Sequence, residues 1–121
     1  MPNELPQEIR IEFTPEFKRN LRTLAKKYRH IRSDIEPIID QLQKGDVVGD
    51  QVPEVGCPIF KVRAINRDIQ KGKRSGYRLI YYLRTRTNII LVIIYSKLDQ
   101  TDISASQIRA IIQKFEEEEF K

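Results

Sequence analysis

Cysteine and histidine are almost missing from this chain: Cys57 and His30 are the only ones. A lone thiol excludes an internal disulfide, and in "VGCPIF" it reads as a buried free cysteine rather than a nucleophile. A tetrahedral zinc site draws on about four Cys, His or carboxylate ligands, so two isolated residues far apart argue against a metal. His30 alone gives little support to a histidine-assisted nucleophile, and it reads as an exposed residue at a helix end. Long apolar runs are missing as well. The longest, "IILVIIY" at residues 89–95, falls far short of the roughly 18 residues of a membrane span, so no membrane association is expected. The opening "MPNELPQEIR" carries acids and prolines where a secretory signal needs a basic start and an apolar stretch, which makes a cytoplasmic, soluble protein the expectation. No glycine-rich phosphate loop is present, since "KGKRSG" has neither the P-loop nor the dinucleotide spacing. The acids fall mostly on helix exteriors and turns, the pattern of a solvated surface. No cofactor is expected.

What the chain does hold is enough for one domain: 121 residues, 40% of them hydrophobic. "EIRIEF" at 8–13 alternates and reads as a first strand. In "TPEFKRNLRTLAKKYRH", Thr14 is a good N-cap and Pro15 suits the first helical position, while Phe17, Leu21, Leu24, Ala25 and Tyr28 recur at helical spacing. A second helix carries Ile35, Ile38, Ile39 and Leu42, and Pro37 pins its start near Asp34 if it must lie in the first turn. Residues 45–58, rich in glycine, proline and aspartate, read as a loop. Three strands follow, "IFKVRAI", "GYRLIYYLR" and "IILVIIYSK", the last apolar on both faces as for a strand covered on both sides. A last helix begins at Ser104, which forms a capping box with Gln107. The expected architecture is α+β in the order β-α-α-β-β-β-α, with a small, mainly antiparallel sheet, an N-terminal helical hairpin and a C-terminal helix. The single domain is expected over 1–115. Residues 116–121 follow it as an acidic tail, frayed because four glutamates oppose the negative helix end.

Charge is the other positive signal. Residues 61–78 hold seven basic side chains (Lys61, Arg63, Arg67, Lys71, Lys73, Arg74 and Arg78) against the single acid Asp68, so this stretch carries more than the whole net charge of +5. Such clustering is the footprint of a nucleic acid or another polyanion. Lys61 and Arg63, two apart on one strand, project from one face. In an antiparallel meander the end of one strand lies beside the start of the next, so Arg78 and Lys97 can converge with them in one concave patch. An arginine fork suits phosphate oxygens, and lysines crowded by other cations move toward a range useful for proton transfer. RNA cleavage by its own 2′-hydroxyl needs a base, a cation for the developing charge and an acid for the leaving oxygen. Each residue also has a plainer reading. Lys61 and Arg63 alone suit an exposed strand face, Lys97 a protective edge charge, Tyr77 and Tyr81 core positions, and Tyr82 and Tyr95 either packing or base stacking. On residues alone, generic anion binding stands ahead of catalysis.

The combination "PIFKVRAI...SGYRLIYYL...LVIIYSK", preceded by "FTPEFKRNLRTLAKKY", resembles the RelE/ParE superfamily of bacterial toxins, and its RelE and HigB-like members in particular, over residues 9–115. The resemblance implies the toxin of a type II toxin-antitoxin system, a ribosome-dependent endoribonuclease that cuts mRNA and is neutralised by a cognate antitoxin. It implies Lys61 and Arg63 as the paired strand cations with a lysine as base, Arg78 as the transition-state arginine, and Lys97 as a further catalytic lysine. Arg67, Lys71, Lys73, Arg74, Tyr82 and Tyr95 would be the RNA contacts. Leu98 stands where RelE has an arginine, and the segment 99–104 has no tyrosine where RelE carries a catalytic one. Two other readings belong to the same comparison: a ParE-like inhibitor of DNA gyrase, and an RNA-binding relative without turnover.

Overall fold

The structure is a computed structural model and describes residues 8–69, 76–100 and 102–120. Its elements are β1 (Arg10–Phe13), α1 (Pro15–Lys27), α2 (Ile31–Gln43), β2 (Asp50–Gln51), β3 (Ile59–Ala64), β4 (Tyr77–Thr85), β5 (Asn88–Ser96) and α3 (Ala105–Glu119). The fold is α+β, with five strands in the order β1-β5-β4-β3-β2; β1 runs parallel to β5 and every other pair is antiparallel. The sequence order is met except for β2, a two-residue strand inside the stretch expected to be loop. Gly49 makes it possible: its φ is +89°, and a Cβ there would come within 2.5 Å of the Lys61 carbonyl oxygen.

Helices cover both faces of this sheet. Phe17, Ile31, Ile35 and Leu42 from the α1–α2 hairpin pack on Leu79, Tyr81 and Leu91. On the opposite face Ile108 and Ile112 of α3 pack on Ile59, Ile80, Ile90 and Val92. The two-sided burial explains why β5 lacks a polar face. Among the described residues no helix is long and apolar enough to cross a membrane.

One irregularity in β5 sets which side of the sheet its last residues face. Pairing passes from Ile80↔Ile93 to Tyr81↔Leu91, which leaves Val92 as an extra residue, a β-bulge. Val92 and Ile93 therefore both lie with the α3 cluster, and beyond them the alternation is reversed: Ile94 joins the hairpin side and Tyr95 the α3 side. Thr14 satisfies the bulge. Its hydroxyl donates to the Val92 carbonyl at 2.6 Å and accepts from the Phe17 amide at 2.9 Å, so the N-cap of α1 and the bulge are one joint.

Three expectations need correction. Helix α2 begins at Ile31, not near Asp34, so Pro37 lies in its interior. It leaves the Ser33 carbonyl without an intrahelical donor, and both residues lie on the exposed side where water can serve instead. The acidic tail is not frayed through residues 116–119: α3 continues to Glu119, because Arg84 reaches across with bonds of 2.6 and 3.0 Å to Glu119 and an ion pair of 3.5 Å to Glu116. A cation supplied by the sheet offsets the unfavourable charge at that helix end. Cys57 is half-buried rather than buried, and burial pushes its thiol up, away from the thiolate.

Candidate anion-binding site

The meander β3–β4–β5 brings the end of β3, the start of β4 and the end of β5 to one end of the sheet. Register pairs Arg63 with Arg78 and Arg78 with Tyr95, and Lys61 with Ile80. By the two-residue period, Lys61, Arg63 and Arg78 share the face on which α3 packs. The bulge brings Tyr95 to that same face. The result is a cleft of about 270 Å³ lined by Asp50, Lys61, Arg63, Arg78, Lys97 and Asp102. Four cations that are scattered over 37 positions of sequence thus share one concavity with two carboxylates.

Arg78 is the most unusual of them. It is only 8% exposed, and its Nη1 donates to the Tyr77 carbonyl at a long 3.4 Å. Among the described residues it has no carboxylate within ion-pair distance, while Arg63 is its direct cross-strand neighbour. A buried cation that is only weakly compensated is costly, and an anion entering the cleft offsets that cost.

The carboxylate of Asp102 is held at the other side of the cleft. A single oxygen, Oδ1, accepts from Lys97 Nζ at 3.0 Å and from the Tyr95 hydroxyl at 3.0 Å, and lies 3.6 Å from Lys61 Nζ. Lys97 first and Tyr95 second keep its carboxyl below the usual aspartate range. Burial, reinforced by the Asp102 charge, pushes the Tyr95 hydroxyl up to about 12, so at neutral pH it is a donor and not a base. Asp50 adds a second acid from β2, opposite Lys61 in register.

The other RNA-contact candidates disperse. Arg67 turns to the hairpin side, where its guanidinium bonds the buried Asp34 and the Ser33 hydroxyl and its amide also reaches Asp34. Tyr82 lies about 13 Å along β4 from Arg78 and packs with the α3 cluster. Tyr95 likewise buries its ring there and offers only its hydroxyl to the cleft. Lys71, Lys73 and Arg74 lie outside the described residues. His30 stands just before α2 rather than at the end of a preceding helix, with its ring 2.7 Å from Asp68. Two exposed apolar side chains, Ile65 after β3 and Leu98 after β5, stand at the same end of the sheet as the cleft.

Asp102 and Asp50 escape a sequence reading that assigns turn acids to the solvated surface. A signal for Asp102 does exist: it falls between Lys97, just past the last strand, and the Ser104 capping box, so the connection is too short to carry it away from the strand end. No comparable signal marks Asp50, whose position follows from a pairing of two residues. Among the described residues, no group of three or more His, Cys, Asp or Glu could hold a metal ion. No protein-family model matches the sequence, and no curated protein matches it significantly.

Proposed function

We propose that the protein is the toxin of a type II toxin-antitoxin system, a RelE-like, ribosome-dependent mRNA endonuclease that cleaves by 2′-hydroxyl attack and uses no metal. The observation that carries this reading is the buried, weakly compensated Arg78 flanked by Arg63, Lys61 and Lys97 in one cleft. A phosphodiester seated there would place its non-bridging oxygens on the Arg78 fork, with Arg63 beside it. Lys61 is the candidate base that takes the 2′-hydroxyl proton. The 2′-oxygen then bonds to phosphorus, the bond to the 5′-oxygen breaks, and Lys97 is the candidate donor of a proton to that leaving oxygen. The products are a 2′,3′-cyclic phosphate and a 5′-hydroxyl. Stabilisation of the charge building on phosphorus is the largest contribution such a site makes, typically 10²–10³-fold for one donor.

The partners on this reading are the ribosome with its mRNA, and a cognate antitoxin. The excess of positive charge makes an acidic segment that folds on binding the fitting inhibitor. The cytoplasm is the matching compartment.

Primer extension on a defined mRNA in a purified translation system tests the proposal. Wild type should cut within A-site codons only when ribosomes are present, and Arg78→Ala should reduce cutting by about 10²-fold or more. Equal cutting by Arg78→Ala would overturn the assignment of the site. No cutting by wild type, with translation intact, would overturn the nuclease reading in favour of gyrase inhibition or RNA binding alone.

A further inference from the structure

The cleft already contains an anion. Asp102 Oδ1 collects two hydrogen bonds, from Lys97 and Tyr95, and an ion pair with the Lys61 ammonium, so it is met by three groups from β3 and from β5 and the residue that follows it. That is the coordination a phosphate oxygen would take in the same place, for a carboxylate and a phosphate oxygen accept the same charge-assisted bonds. Yet Asp102 is not locked: its side chain is 55% exposed and it lies outside any helix or strand. Arg78, by contrast, is buried and receives no part of this carboxylate within ion-pair distance. The cleft is thus half-neutralised, with its half-buried lysines occupied and the buried Arg78 without a carboxylate among the described residues.

We propose that Asp102 is an internal stand-in for a phosphate group: a phosphodiester first meets Arg78 and Arg63 and then displaces the Asp102 carboxylate from Lys61 and Lys97. The proposal rests on the reading of the cleft as a phosphodiester site and adds a step to it. Displacement frees both lysines for the proton transfers assigned to them, and without a bound phosphate they stay tied to Asp102. Asp102 on this account lowers affinity for the anion while offsetting the charges of Lys61 and Lys97 when the cleft is empty. A positioning residue would behave in the opposite way, because removing its charge would loosen the lysines and weaken binding.

The two roles are separated by the isosteric Asp102→Asn variant, which keeps an oxygen for the Tyr95 and Lys97 donors and removes the charge. The probe is a fluorescently labelled 2′-O-methyl RNA trinucleotide, which lacks the attacking hydroxyl and cannot be cut, followed by its anisotropy with the full chain of each variant. Asp102→Asn should bind it about tenfold more tightly than wild type, and Asp102→Ala should also bind more tightly. Arg78→Ala should abolish binding with either residue at 102. Equal or weaker binding by Asp102→Asn overturns the proposal, and so does an absence of binding by all proteins. Ribosome-dependent cutting is measured alongside: tighter binding by Asp102→Asn without any cutting by wild type would leave the exchange standing and remove only the nuclease reading.

Discussion

At the scale of single residues, the cleft's chemistry turns on which groups share a proton-accepting oxygen. The carboxyl of Asp102 is held low mainly by Lys97, with Tyr95 second and the nearby Lys61 contributing charge. Lys97→Ala should therefore raise its titration toward the ordinary aspartate value, while Tyr95→Phe should raise it by less; carboxyl chemical shifts followed against pH check both. Because the folded value is depressed, the stabilisation linked to this carboxyl is present above the unfolded-chain value. It is lost as the pH falls through the lower folded one, and in Lys97→Ala that acid-side loss should shrink. Arg78 is buried beside the charged groups of the cleft, and the high Tyr95 hydroxyl follows from burial in the apolar cluster that α3 completes on the same face. Neither is legible from residue type, since Arg78 and Tyr95 look like any strand arginine and tyrosine until a helix covers their face.

At the scale of elements, most boundaries follow from local chemistry. Thr14 and Pro15 start α1, Ser104 with Gln107 starts α3, and β3 to β5 lie within a residue or two of where alternation puts them. The departures share a feature: a long-range partner overrides a local preference. Pro37 is carried inside α2 because Ile31, Ile35 and Ile38 bury against the sheet, and the glutamates at the end of α3 stay helical because Arg84 meets them. The joint between α1 and β5 is the element most open to attack. Thr14→Val keeps the shape but removes both the cap to Phe17 and the donor to the Val92 carbonyl, so it should cost about 2–4 kcal/mol in urea unfolding, whereas Thr14→Ser should cost much less. The variant should also weaken anion binding, because Thr14 supports the bulge that sets the side of the sheet on which the end of β5 delivers Lys97 to the cleft.

At the scale of the molecule, a net charge of +5 is distributed so that one end of the sheet is cationic while Arg67 and Arg84 are engaged elsewhere by Asp34, Glu116 and Glu119. A cleft of about 270 Å³ admits few phosphate groups. If it alone grips single-stranded RNA, about two phosphates are neutralised and the logarithm of affinity should fall with the logarithm of salt at a slope of about −1.4. Fluorescence anisotropy over a salt series measures it. A slope steeper than about −3 would assign further contacts to Lys71, Lys73 and Arg74.

By itself the sequence determined the class of the fold, the caps of two helices and the segment that carries the excess charge, because periodicity, capping and composition are local properties. It also brought Lys61, Arg63, Arg78 and Lys97 to one end of a meander, since strand ends alternate by simple connectivity. Tertiary structure alone decided which face those cations share with α3, that Arg67 serves the helical hairpin, and that Asp102 enters the cleft. The bulge at Val92 is the clearest case. One extra residue reverses every side chain beyond it, and its carbonyl is satisfied by a threonine 78 positions away, a coupling that no local pattern encodes.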